Sequence, residues 1–176
     1  FGSRILNAFK SHAGYQTKAT DTFKESMELW IRKKAAEKVA EINDTTKKRI
    51  RSEINEGFAS SLPASTVSQN IVTATGGAIA KSRATVISRT ETHMAAQQAS
   101  VEAFKSTGVQ GKKVWVSAED ERTRETHSQA DSDSHANPLD VRDDFIVGGD
   151  SMSAPGLGSD TAENVNCRCQ CAFIVE

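Results

Sequence analysis

The sequence predicts an α+β protein in which long N-terminal helices are followed by a small C-terminal module of short strands and long loops. Over roughly the first 107 residues, apolar side chains recur at spacings of three and four, which is typical of amphipathic helices. After Gly108, short β-branched and aromatic stretches alternate with polar segments, which indicates strands. Hydrophobic residues make up 37% of the chain and aromatic residues 6%, so we expect a small core with helices extending from it.

Two helices are expected in the first 61 residues, after a loose or short-helical lead-in over residues 1–17. The first starts near Thr20 and has apolar residues at helical spacing. Residues 43–46 supply N-cap side chains for the second helix. Its apolar stripe consists of Ile50, Ile54 and Phe58. Because this stripe is narrow, the second helix should pack against a single neighbour or against another protein.

Two further helices are expected before the strands. Pro63 suits the first turn of a short helix, which a glycine pair ends. A long helix then covers about residues 78–107, and Gly108 stands where a C′ glycine belongs. The break at Pro63 divides the chain into a helical adaptor or lead region, residues 1–61, and a second unit, residues 62–176.

Three short strands are expected in that second unit. They cover residues 112–116, 145–147 and 169–175. The polar stretch between the first two strands is predicted to be a loop with a turn at Asn137-Pro138. Gly148-Gly149 should stop the second strand, and a loop should follow it.

The charge of the chain is uneven, although its net charge is only −1. Residues 1–118 carry 18 Lys and Arg against 10 Asp and Glu, whereas residues 119–163 carry three Arg against 12 Asp and Glu. A basic helical half is compatible with binding to nucleic acid or to an acidic partner. Solvated helix faces are the simpler interpretation of the same pattern.

The chain begins with Phe1 rather than Met, so we interpret it as an internal segment of a longer protein. It has no charged-then-apolar leader, and no apolar run approaches the roughly 18–20 residues of a membrane span. We therefore expect no membrane span.

All three cysteines lie within five residues, at Cys167, Cys169 and Cys171. Residues two apart on a strand have Cα atoms about 6.5–7 Å apart, at or beyond the limit for a disulfide. Metal-bound or free thiols in a reducing compartment are therefore favoured. Two interpretations remain open, namely zinc ligands and small hydrophobic side chains on a core strand.

A metal site would combine the cysteines with ligands from elsewhere in the chain. His127, Cys167 and Cys169 are the favoured set, and zinc is the metal that such ligands indicate. The candidates for a fourth ligand are Cys171, His135 and Asp131. Zinc-bound sulfurs converge to about 3.7–4 Å, so a C-x-C pair can ligate only where the backbone bends.

Two other interpretations of these residues are less favoured. Cys167 or Cys169 with His127 would make a nucleophile–base pair oriented by Asp131, but no glycine elbow or oxyanion loop surrounds either cysteine. The stretch from Asp131 begins like a calcium-binding loop but lacks its glycine and its final glutamate. We therefore expect a protein without enzymatic activity.

Five short motifs follow one another in the second unit. They are Arg89-Thr90-Glu91-Thr92-His93, Lys113-Val114-Trp115, residues 120–127, Pro155-Gly156 and residues 163–169. This series, within about residues 62–175, resembles the Mu F-like family of minor head proteins of tailed phages, also called phage head morphogenesis proteins. The family often has Asp-Gly after the histidine, where this chain has Asp131-Ser132.

Several motif residues outside the predicted metal site are expected to have structural roles. They are Arg89, Glu91, Trp115, Arg122, Arg124, Asn166 and Arg168. Arg89 and Glu91 are expected to pair with charges in the later module and so attach the long helix to it.

The resemblance implies a virion component that is made in the host cytoplasm and lies in the capsid interior near the portal. Its implied partners are the portal protein and the major capsid protein, with packaged DNA as a further candidate. The implied roles are head morphogenesis, DNA packaging and DNA ejection, without an established reaction. Two alternatives are a nucleic-acid-binding virion protein and a prophage-encoded protein in which the same module is joined to a toxin domain.

Overall fold

The computed structural model describes residues 19–37, 39 and 41–175, and it confirms the α+β class. Four helices come first, followed by short strands and short helices. In chain order these are α1 Ala19–Lys34, α2 Asp44–Ala59, α3 Ala64–Ala74, α4 Lys81–Ser106, β1 Gly111–Val116, α5 Glu125–Ala136, β2 Leu139–Asp140, β3 Phe145–Val147, β4 Asp150–Met152, α6 Thr161–Asn164 and β5 Gln170–Val175. The expected lead-in over residues 1–17 lies outside the described residues.

The N-terminal helices pack together on α4 instead of extending from a small core. Ile50 and Ile54 of α2 are 0% and 1% exposed, and Phe58 packs against the same apolar cluster. Gly57 lets α2 approach α3, because a Cβ there would collide with Cγ2 of Val67. The narrow stripe of α2 therefore faces inward, against the other helices. The division at residue 62 stays a prediction.

The helix ends follow the expected local chemistry. Asn43 caps α2, with its Oδ1 accepting a hydrogen bond from the Thr46 N–H at 2.9 Å. Gly108 has φ +69° just after α4, which is the left-handed conformation that a C′ glycine supplies. The long helix starts at Lys81, three residues later than predicted, because Gly76 and Gly77 begin a turn that continues to residue 80.

The strands form a three-stranded antiparallel sheet in the order β2-β1-β5 and a separate hairpin of β3 and β4. In the sheet, Trp115 lies opposite Cys171. Gly148 and Gly149, with φ +61° and +85°, do more than stop β3. They reverse the chain into β4, since two successive positive φ angles suit a tight hairpin turn.

The predicted long loops are partly helical. Helix α5 occupies much of the polar stretch that was predicted to be a loop. Its buried residues are His127, Ala130 and Ser134. They are spaced as one helix face requires, but only the alanine is apolar, so hydrophobic periodicity does not reveal the helix. Asp160 caps the shorter α6, and its carboxylate accepts a hydrogen bond from the Ala162 N–H.

A second apolar cluster lies between α4, α5, the sheet and the hairpin. Trp115 is at its centre and is 0% exposed. Phe104 of α4 stacks on Phe173 of β5 with ring centroids 4.5 Å apart. Helix α4 thus contributes to both clusters and joins the two halves of the molecule. Within the described residues, no helix has the length and apolar character to cross a bilayer.

Glu91 is directed toward the helical half. Its Oε2 accepts a hydrogen bond of 2.9 Å from the Ala36 N–H, just after α1. Ala36 has φ +60°, an unusual conformation for alanine, and Glu91 is only 5% exposed. Arg89 is exposed. The chain reversal after α1 thus presents a buried N–H to α4, and the expected pairing of Arg89 and Glu91 with charges in the later module stays a prediction.

Replacing Glu91 by alanine should lower the free energy of unfolding by about 1–3 kcal/mol, because the buried Ala36 N–H loses its carboxylate acceptor. Chemical denaturation measures the effect. Arg89→Ala is the matched control on the same helix and should change the free energy by no more than about 0.5 kcal/mol. Equal effects of the two variants would contradict this role for Glu91.

Candidate metal centre

Three side chains that are distant in sequence meet in the second cluster. They are His127 of α5 and the pair Cys167 and Cys169, just before β5. Nδ1 of His127 lies 3.3 Å from Sγ of Cys169 and 3.8 Å from Sγ of Cys167. The three donor atoms lie within 4.8 Å of one another, and the residues are only 1–4% exposed. This His-Cys group can hold a metal ion.

The backbone bends at the cysteines. Asn166 has φ +55°, and the Cys167 N–H donates a hydrogen bond to the Asn164 carbonyl. Strand β5 begins only at Gln170, so neither ligand cysteine lies on regular strand. The bend directs both thiols to His127. C-x-C ligation requires such a bend.

Glu163 of α6 binds the opposite side of the imidazole. Its Oε2 lies 2.9 Å from Nε2 of His127 and accepts a hydrogen bond from the Thr126 hydroxyl at 2.9 Å. Because Glu163 can accept the Nε2 proton, Nδ1, which is the ring nitrogen beside the two sulfurs, is available to bind a metal ion. A carboxylate on the far nitrogen commonly orients a metal-binding histidine. This arrangement therefore suits a metal ion.

The two thiols of the group differ in acidity. The hydrogen bond with Cys167 lowers the pKa of Cys169 to about 4, although burial acts in the opposite direction, and interactions with His127 lower this pKa further. The same hydrogen bond, together with burial, raises the pKa of Cys167. The pair therefore favours the thiolate at Cys169 and the thiol at Cys167. A metal ion that binds both sulfurs displaces the remaining proton, because the thiolate is the ligand form.

Cys171 lies outside this group. It is 2% exposed, and its backbone N–H donates a hydrogen bond of 3.0 Å to Oε1 of Gln97. Burial raises the pKa of its thiol to about 12, which keeps the thiol protonated at neutral pH. Cys171 thus matches the interpretation of a small hydrophobic side chain on a core strand.

Asp131 and His135 are not brought to the His-Cys group either. They pair with each other along α5 at 2.8 Å, and His135 is exposed. The second oxygen of Asp131 accepts a hydrogen bond from the Ser117 N–H at 2.8 Å. The residue that orients His127 is therefore Glu163. The sequence analysis missed this role, although Glu163 lies inside a motif only four residues before Cys167.

The arginines of the motifs attach loops around the site. Arg124 donates a hydrogen bond of 2.7 Å to the Val165 carbonyl, which connects the start of α5 to the turn before the cysteines. Arg168 makes a two-fold hydrogen bond and ion pair with Asp120. Arg122 is exposed, and its backbone N–H donates to the Asp120 carboxylate.

Trp115 packs against the histidine of the group. Its ring meets the His127 ring edge to face, with centroids 5.1 Å apart. The indole also lowers the pKa of Cys169, although its buried Nε1 makes no hydrogen bond of good geometry.

The site also contains the residue types of a catalytic triad. A nucleophile, a base and an orienting acid would be Cys169, His127 and Glu163. Burial of the cysteine and the histidine closes this trio to a substrate and favours metal binding.

The ion pair between Asp120 and Arg168 should make stability depend on acid pH. Arg168 holds the pKa of Asp120 well below its ordinary value of 3.8. Because the folded-state pKa is lowered, the ionised carboxylate stabilises the fold fully above the ordinary pKa. This contribution is lost as the pH falls from the ordinary pKa through the folded-state pKa. Asp120→Asn should therefore be less stable than the native chain at pH 7, and the difference should shrink below about pH 4.

Urea unfolding at a series of pH values measures this difference. Asp143→Asn, which removes another exposed carboxylate, is the matched control and should show little pH-dependent difference. A pH-independent loss in Asp120→Asn would mean that the ion pair is not its cause.

Comparison with known proteins gives two matches. The profile of the family described as "Phage Mu protein F like protein" matches residues 32–172. The NAD(+)--arginine ADP-ribosyltransferase EFV of Enterococcus faecalis (strain ATCC 700802 / V583) is 33% identical over 93 residues. That alignment covers 51% of this chain and 18% of the relative, so the matched part is less than a fifth of the relative's length. No solved structure gives a significant match.

The relative corrects one prediction of the sequence analysis. We expected a protein without enzymatic activity, and that expectation is wrong as it stood, because a similar protein is an enzyme. The absence of a glycine elbow around the cysteines argues only against nucleophilic catalysis by these thiols. It gives no information on enzymatic activity that other residues or regions carry. The family profile covers well over half of the chain, including most of the first apolar cluster, the buried residues of the second and the His-Cys group. The chain belongs to the phage Mu protein F like family, a head morphogenesis family.

Proposed function

We propose that this chain is the head-docking module of a phage-encoded protein, which binds the portal protein and the major capsid protein and is carried inside the virion. The observation that carries the proposal is the family match over residues 32–172. That match covers α2 to α6 and the buried residues of the second cluster, which supports the proposal that this chain contains the module implied by the family. Contact with packaged DNA belongs to the same proposal.

Within this module the His-Cys group is a structural zinc site. Its donors are one imidazole nitrogen and two sulfurs, a set that suits zinc better than calcium or magnesium. The ligands come from α5 and from the bend before β5, and Glu163 adds α6 through His127. When bound, zinc would cross-link segments that lie about 40 residues apart in sequence. It would thereby stabilise the loops that form the surface of the module.

The zinc site predicts a stoichiometric metal. Protein purified without added zinc should contain about one zinc per chain, and chelation should lower its melting temperature, because binding energy at a structural site is folding energy. Glu163→Gln should weaken zinc affinity by about 10- to 100-fold, as loss of an outer-sphere partner does. Elemental analysis and competition with a chromophoric chelator measure these effects.

Cys171→Ala is the matched control. The Cys171 thiol is buried and follows Cys169 by two residues, but it is not one of the three donors of the His-Cys group. It should retain a full complement of zinc. Metal content near zero, together with free titration of all three thiols in the folded native chain, would overturn the zinc assignment.

Head docking predicts co-sedimentation. The chain should sediment with procapsids that contain portal, and should be found in mature virions by mass spectrometry. Procapsids assembled without portal show whether the chain binds the portal protein or the major capsid protein. An unrelated protein of similar size and charge controls for nonspecific enclosure in the particles. Absence from virions together with no co-sedimentation with either particle would contradict the docking function.

A second candidate concerns the longer polypeptide and rests on the Enterococcus faecalis relative. In this candidate, the module is attached to an ADP-ribosyltransferase region that acts on arginine. Labelled NAD⁺ incubated with the full-length polypeptide and an arginine substrate should then yield labelled arginine, and the present chain alone should serve as the comparison. No transfer by the full-length polypeptide would remove this candidate without affecting head docking.

A further inference from the structure

The His-Cys group provides three donors, whereas structural zinc is almost always bound by four. Of the fourth ligands considered from the sequence, Asp131 and His135 pair with each other, and Cys171 is not among the donors that converge at the group. Another histidine, His93 of α4, has a buried Nε2 atom without a hydrogen-bond partner. Buried polar atoms rarely lack a partner, so this nitrogen requires an explanation.

Hydrogen bonds place His93 opposite the cysteines. Thr90 Oγ1 accepts a hydrogen bond from the Asn166 N–H at 3.1 Å, and Gln97 Oε1 accepts one from the Cys171 N–H at 3.0 Å. The ends of the segment 166–171 are thereby bound to α4. His93 lies three residues after Thr90 and four before Gln97, so all three share one helix face. His93 therefore lies between the two attachment points, at the level of the ligand cysteines.

The surroundings of His93 enclose its ring. Gly156, with φ +85°, packs so closely that a Cβ there would lie 3.3 Å from Cδ2 and 3.7 Å from Nε2 of His93. Because Nε2 is buried and makes no hydrogen bond, its lone pair is available to bind a metal ion.

We propose that His93 Nε2 is the fourth ligand, which makes the site a two-histidine, two-cysteine centre. The inference rests on the zinc site proposed above. His93 is not among the three donors that lie within 4.8 Å of one another, so its ring must approach the group when the metal binds. A ligand on α4 has a further consequence. The metal then joins the helix common to both apolar clusters directly to α5 and to the bend before β5.

X-ray absorption at the zinc edge of the native full chain tests the ligand set directly. Two sulfur and two nitrogen ligands are expected. Two sulfurs, one nitrogen and one oxygen would overturn the role of His93 while leaving the zinc site intact. Absence of zinc would overturn both proposals. This measurement does not depend on the folding of any variant.

Variants provide an independent test. His93→Ala should weaken zinc affinity by at least about 10-fold. Loss of an outer-sphere partner already has about this effect, and loss of a direct ligand should have a larger one. His93→Cys should restore tight binding and shift the absorption spectrum to three sulfurs and one nitrogen. His135→Ala is the matched control, since this histidine is exposed on α5, and its zinc affinity should equal that of the native chain. Native affinity in His93→Ala would overturn the assignment.

Discussion

The attachment of the segment 166–171 to α4 is the interaction on which the rest of the C-terminal half depends. Two helix side chains, Thr90 and Gln97, accept backbone hydrogen bonds from the two ends of this segment. Between these points, residues 167–169 lie outside the sheet pairing, and the backbone bends at Asn166. In a regular strand, residues two apart are separated by about 6.5–7 Å, so the bend is what brings both sulfurs close to His127.

The same attachment determines the electrostatics of the site. Once the two thiols are brought together in a buried place, they compete for one proton, and the hydrogen bond between them favours the thiolate at Cys169. Trp115 and His127 stabilise that thiolate, while Glu163 orients the imidazole. A buried thiolate with few donors is costly by itself. A cation bound by both sulfurs offsets this cost, which is the physical reason for regarding the group as a metal site.

The comparisons confirm the family that the motif series indicated and correct the expectation about enzymatic activity. Family membership accounts for the order of the motifs and for the joined helical and strand regions. The similarity to a far longer ADP-ribosyltransferase shows that a related segment occurs within an enzyme. A docking module and an enzymatic region require different surfaces, so both can be present in one polypeptide. The proposed zinc site would stabilise the module in either setting, because its ligands are buried.

Local chemistry in the sequence was sufficient to predict the class, the four N-terminal helices, β1, β3 and β5, because apolar spacing, caps and glycines act over a few residues. It also singled out His127, Cys167 and Cys169, since these residue types bind soft metals. Helix α5 escaped prediction because its inward face is mostly polar, and only packing against Trp115 makes that face a core surface. Other roles depend on contacts between distant parts of the chain. The hydrogen bonds of Glu163 and Glu91 span 36 and 55 residues, and His93 is enclosed by another segment. Such contacts have no local signature, so only the tertiary structure could decide them.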